Sequence, residues 1–269
     1  MNKNHAAGLF VLVMLLLVTA CSSKPSWDEE HVHVESERLL ADLVAADWKV
    51  EPPSDGGKAS TIRIQLKRED GRPIESFDRN HEQLLHLMVI SRDLSYFHHI
   101  HPAYQGSGVF EIANEFPSGG DYRLIADFKP TGGDSMTKLT WMRVDGPTVL
   151  PVPVVPDAEL AQTADGNRVK LAIDRLEAKR AATLTFTIEE EGTGQPVTDL
   201  QPYLGAIGHV VVLSEDGERY VHVHAEEGQG SGPVALFETE FPKSGVYKIW
   251  GQFMRNDRVF TVAYVVTVA

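Results

Sequence analysis

The sequence predicts an all-β protein built from two tandem antiparallel β-sandwiches, and three observations predict it. Short apolar runs, about seven in each half, alternate with Gly, Pro and Asp clusters, and helical periodicity is almost absent. A set of positions recurs at a displacement of 123 residues, as a duplicated domain requires. The length of 269 residues suffices for two domains, each with its own core.

The first 21 residues stand apart from that fold. Lys3 gives a positive start, and the apolar run 6–20 is too short to span a bilayer comfortably and ends in small residues, as a secretory signal does. Val18-Thr19-Ala20-Cys21 resembles the bacterial lipoprotein box, which implies cleavage before Cys21 and acylation there. Residues 22–45 read as a polar tether. It carries His31 and His33 in the acidic run 28–35, and 37–46 has the character of a short helix.

The first sandwich is expected over 46–146, with strands near 61–66, 84–91, 96–101, 109–116, 122–128 and 138–144. A Pro-rich stretch, 147–167, reads as a semi-rigid linker. The second sandwich, over 168–269, repeats the plan. Gly71, Pro73, Ser91 and Asp93 return as Gly194, Pro196, Ser214 and Asp216, and after a two-residue shift Tyr122 returns as Tyr247. Gly120-Asp121-Tyr122 and Gly245-Val246-Tyr247 have the form of an immunoglobulin-type tyrosine corner. Both tyrosines are therefore assigned a structural role.

The repeat also carries chemistry. His86, His99 and His101 recur as His209, His222 and His224 in HLMVISRDLSYFHHIH and HVVVLSEDGERYVHVH. Asp216-Gly217 is a two-residue hairpin signal, and a turn there sets Val211 opposite His222 and His209 opposite His224. A turn at Asp93-Leu94 likewise sets Met88 opposite His99 and His86 opposite His101. Alternate residues share a sheet face, so each copy is expected to gather three imidazoles on one hairpin face. Val210, Val212, Val221 and Val223 then face the core. His98 falls on the other face, Met88 is either a core filler or a soft ligand, and His81 reads as a surface histidine because Leu204 stands at its place in the second copy.

Three neutral imidazoles suit copper or zinc. Cys21 is the single cysteine, so once acylated it leaves no thiolate for a blue-copper site, a disulfide or thiol catalysis. Loss of Lys3 with the signal takes the net charge from −13 to about −14, which argues against nucleic acid or anionic lipid headgroups as partners. The chain shows no Ser-His-Asp motif, phosphate loop or nucleotide fingerprint. Glu115 and Glu240, the repeated carboxylates, each precede Phe-Pro at a strand end, where a turn role is sufficient. An enzyme is not expected.

The second domain resembles the YtkA-like family of secreted bacterial domains in the segment 194–200, in the strand opened by Gly208-His209 and in the Gly245-Val246-Tyr247 strand. The segment 93–102 (DLSYFHHIHP) resembles modules of bacterial heavy-metal efflux proteins; the second copy departs from it, with Ala225 in place of Pro102. These resemblances imply an immunoglobulin-like fold and extracytoplasmic metal handling. The sequence reading is thus a lipoprotein outside the cytoplasm, held to the membrane by its lipid alone. It would bind copper or zinc at His86, His99, His101 and at His209, His222, His224 for buffering or delivery. The alternative is a metal-free interaction module for an envelope protein partner.

Overall fold

A computed structural model of the protein describes residues 41–53 and 58–269. The signal segment with Cys21, and the tether with His31 and His33 up to residue 40, lie outside the described residues. A single 3-10 turn, Ala41–Leu43, precedes the first strand. Residues 44–46, expected as the end of a helix, instead open β1, because Val44 to Glu51 pair in register with the next strand. Tertiary pairing overrides local propensity here.

The first copy comprises β1 (Val44–Glu51), β2 (Ser60–Arg68), β3 (Phe77–Asp78), β4 (Leu85–Ser91), β5 (Phe97–Ile100), β6 (Ala103–Gly106), β7 (Val109–Asn114), β8 (Gly120–Pro130) and β9 (Met136–Val144). The second comprises β10 (Ala161–Ala164), β11 (Asn167–Ile173), β12 (Ala181–Glu190), β13 (His209–Ser214), β14 (Tyr220–Val221), β15 (Val223–Ala225), β16 (Val234–Glu240), β17 (Gly245–Arg255) and β18 (Arg258–Val268). Each copy is an immunoglobulin-like sandwich. The sheet β1-β2-β7-β6 packs on β3-β8-β4-β5 with β9 beside β8, and β10-β11-β12-β16-β15 packs on β14-β13-β17-β18. The strand β10 falls inside the stretch read as a linker and pairs with β11.

Period-two alternation builds both cores. In β2, Ile62, Ile64 and Leu66 point inward to meet Leu85, Leu87 and Val89 of β4. In β12, Leu184, Phe186 and Ile188 meet Val210 and Val212 of β13. Each such side chain, fully buried, contributes about 1.5–3 kcal/mol. The tyrosine corners form as expected: Tyr122 donates its hydroxyl to the Ser118 carbonyl and Tyr247 to that of Lys243, each at 2.8 Å.

The outer faces of β4 and β13 are buried as well, because the two sandwiches pack on each other. Met88, Ile90 and Ile125 of the first copy meet Val211, Leu213 and Trp250 of the second. Met88 and Val211, Ile90 and Leu213, and Ile125 and Trp250 are equivalent repeat positions, so the interface has approximate two-fold character. Phe97 stacks on Trp250 at 4.8 Å. At one end Lys248 donates to the Leu94 carbonyl at 2.8 Å; at the other, Glu218 accepts from Arg123 at 3.1 Å and from the Trp141 indole at 2.8 Å.

Candidate metal centre

The hairpin β4–β5 has the register that its turn implies: Met88 faces His99 and Leu87 faces Ile100, which sets His86 beside His101. The turn itself differs from the expected two-residue form. Leu94 N donates to Ser91 O at 2.9 Å and Leu94 has φ +58°, so a type I turn is followed by a left-handed residue. Asp93 accepts from the Ser91 hydroxyl and the Ser95 amide, and the Ser91 hydroxyl accepts from the Tyr96 amide. Ser214 and Asp216 make the same clamp on Glu218 and Arg219. The repeated Ser and Asp are thus register devices, and the four-residue loop conserves the register because it takes one residue from each arm.

The nitrogens of His86, His99 and His101 lie within 4.8 Å of one another. His209 of the second copy joins them, its ring 4.8 Å from that of His99 and stacked 5.8 Å from that of His86. His86 and His99 are buried. Burial holds the His86 imidazole down at about 4 and the His209 imidazole at about 3, and drives His99 well below the ordinary histidine value; all three are neutral at pH 7.

Tautomers follow from the partners. The carbonyl of Asn80 can only accept, so His86 donates Nε2–H to it at 2.9 Å and keeps its lone pair on Nδ1. The Gln252 amide donates to Thr261 Oγ1, which turns its Oε1 toward His99 Nδ1 at 2.8 Å. His99 therefore donates from Nδ1 and keeps its lone pair on Nε2. Those two lone-pair nitrogens stand 3.1 Å apart. The Nε2 atoms of His101 and His209 are buried without a hydrogen-bond partner. Two facing lone pairs and two unpartnered nitrogens call for an electrophile, and burial opposes an imidazolium. A tetrahedral ion with bonds of about 2.0–2.1 Å needs nitrogens about 3.3 Å apart, close to the 3.1 Å between His86 Nδ1 and His99 Nε2.

The second triad does not assemble. The ladder β13–β14 keeps the expected register, with Val212 opposite Val221, but ends there. The chain then crosses to the other sheet, where β15 sets His224 opposite Glu238. His209 therefore does not face His224. His222 and His224 are exposed, with rings 6.4 Å apart, and His222 Nε2 lies 3.4 Å from Thr137 Oγ1. In the first copy the same crossing comes two residues later. Pro102 has no amide hydrogen to give β7, whereas Ala225, at its place, pairs with Phe237.

His98 is exposed on the other face, where it bonds Asn114 at 2.8 Å, and Met88 is core at the domain interface. Two residues of the site, and His81 beside it, escaped the sequence reading. His81 has its ring 6.1 Å from His86 and 5.9 Å from His209. Gln252 and Asp127 are equivalent positions, paired across strands with His209 and His86 respectively. Burial pushes the Asp127 carboxyl up to about 7, partly offset by the Phe128 amide, and its Oδ1 has no hydrogen-bond partner. The cross-strand pairing with the two histidines was the signal that could have found both.

No curated protein matches the chain. Among solved structures, the Escherichia coli adhesin FdeC is 16% identical, with 87% of this chain and 66% of that chain covered at a TM-score of 0.29. The 47-kilodalton lipoprotein Tp47 of Treponema pallidum is 14% identical, with 87% and 53% covered at a TM-score of 0.26. The chain thus spans just under two thirds of the first and about half of the second. A two-domain fibronectin type III segment of chicken tenascin is 13% identical, with 82% and 98% covered at a TM-score of 0.23. A family model matches twice, at residues 41–146 and 162–269, so the chain is a tandem member of the family described as Domain of unknown function (DUF8832).

Proposed function

We propose that the protein binds one transition-metal ion, copper or zinc, between its two domains. His86, His99 and His101 ligate it from the first domain, and His209 from the second. The carrying observation is the pair of lone pairs facing each other at 3.1 Å, with two further buried imidazole nitrogens lacking any partner. Four imidazoles would fill a tetrahedral shell and leave no open position for a reacting water, so we read a metal carrier or buffer and not an enzyme. The YtkA-like resemblance of the second domain and the lipoprotein box at Cys21 support a place outside the cytoplasm, lipid-anchored at the membrane.

The test is titration of the protein with Zn(II) and with Cu(II). One tight equivalent is expected, lost in the variant combining His86→Ala, His99→Ala and His101→Ala, weakened in His209→Ala and retained in His222→Ala/His224→Ala. Wild-type stoichiometry in the triple variant, or no binding by the wild type, overturns the reading. One observation favours the alternative, a metal-free interaction module: Val149, Leu150, Val152 and Val155 expose apolar side chains along the Pro-rich stretch between the domains, Leu150 at 91%.

A further inference from the structure

A cleft of about 710 Å³ opens beside the buried imidazoles, with His81 of the first domain on one wall and His224, Glu226 and Glu227 of the second on the other. His81 is presented by a tight turn. Asn80 and Gln83 exchange backbone hydrogen bonds at 2.8 and 3.1 Å, and His81 and Glu82 between them take φ +45° and +65°. The Asn80 carbonyl that closes this turn is the same one that receives His86 Nε2–H. The mouth of the cleft and the buried cluster are therefore fixed to each other by one backbone group.

The equivalent turn of the second copy, with Leu204 and Gly205 at φ +55° and +78°, lies against it, and a Cβ on Gly205 would come within 3.6 Å of Glu82. His81 interacts with the Leu204 backbone and couples electrostatically to His224. Its ring is at the surface, yet about 6 Å from the rings of both His86 and His209. Glu226 and Glu227 form no ion pair among the described residues, so their charge is free to draw a cation into the cleft.

We propose that His81 and His224 form a solvent-facing capture site for a divalent transition-metal ion, from which His81 hands the ion to the buried imidazoles. This rests on the metal-binding reading above and adds a route to it. Two of the four imidazoles are buried and the Nε2 atoms of the other two are shielded from solvent, so the site has to be reached, and the exposed His81 lies about 6 Å from two of its members.

The test is stopped-flow mixing of the protein with Cu(II) alone, followed by quenching of tryptophan fluorescence, with Trp250 in the interface as the reporter, together with equilibrium competition against a chelator. The double variant His81→Asn/His224→Gln keeps a residue tolerant of positive φ in the turn. It is expected to fill about tenfold more slowly than wild type, with the affinity of the buried site held within about threefold. Glu226→Gln/Glu227→Gln is expected to slow filling by a smaller factor and to flatten its salt dependence. Filling of the His81/His224 double variant at the wild-type rate overturns the capture site and leaves the buried site standing. Absence of any quenching or competition in the wild type overturns both.

Discussion

Acidification of the metal-free protein gives the most direct test of the buried imidazoles. His86, His99 and His209 are held below the ordinary histidine value of 6.5, so near pH 5 each carries a proton when unfolded and none when folded. Asp127 runs the other way: its carboxyl sits at about 7 against an ordinary 3.8, so near pH 5 it is protonated when folded and ionised when unfolded. For these four groups, three protons gained on unfolding against one lost leave a net gain of two, and burial of His81, His101 and His222, which lowers them too, acts in the same direction. Stability then rises with pH through this window, these four groups contributing about 2.7 kcal/mol per pH unit. The histidine contribution is fully present above pH 6.5 and is lost as pH falls toward the folded values. The Asp127 contribution is fully present below 3.8 and is lost as pH rises through 7. The assay is urea unfolding in the presence of a chelator, at closely spaced pH values around 5. Asp127→Asn removes the opposing proton, so its slope is expected to be steeper than that of the wild type by about 1.4 kcal/mol per pH unit. A flat or negative slope in the wild type would refute the assignment of three neutral, buried imidazoles to the domain interface.

Other outcomes follow from single contacts. Gln252→Leu removes the acceptor that fixes the His99 tautomer and is expected to weaken metal binding about 10–100-fold in a chelator competition, while the fold persists by circular dichroism. Gly217→Ala forces a Cβ to 2.6 Å from Trp141 at φ +74°, at an expected cost of about 1–3 kcal/mol in urea unfolding. Tyr247→Phe leaves the Lys243 carbonyl without its hydroxyl donor and is expected to cost about 1–3 kcal/mol, with metal affinity unchanged.

Most of the fold is legible because it is local. Alternation in β2 and β12 names the core faces, and the Ser91/Asp93 and Ser214/Asp216 pairs pin the hairpin registers even though each loop has four residues rather than two. The site is half legible for the same reason. His86, His99 and His101 belong to one hairpin, so register alone brings them together. His209 and Gln252 reach the cluster through packing between domains, and no periodicity in either copy encodes that; His81 is placed beside it by the turn between Asn80 and Gln83. The second triad failed on a competition that the hairpin pattern omits: the strand carrying His222 and His224 has a second sheet to join. The one visible clue was Ala225 in place of Pro102, which decides whether the crossing waits.

The approximate two-fold packing also explains why two triads in sequence give one cluster in space. Faces related by such an axis bring equivalent positions together near it, and His86 and His209 stack there with planes 10° apart. A second buried set at the same axis would add two more imidazoles to a region where burial already suppresses their charged forms. The early crossing at His222 turns that pair out to solvent instead, and so leaves His209 facing the triad of the other copy. Asp127 shows what remains of the symmetry. It holds the place that Gln252 holds opposite His99, but with His222 turned away its Oδ1 is left without a partner. One copy thus supplies three of the gathered imidazoles. The other supplies the fourth together with the amide that orients His99, so the full cluster of four forms only when both domains are docked.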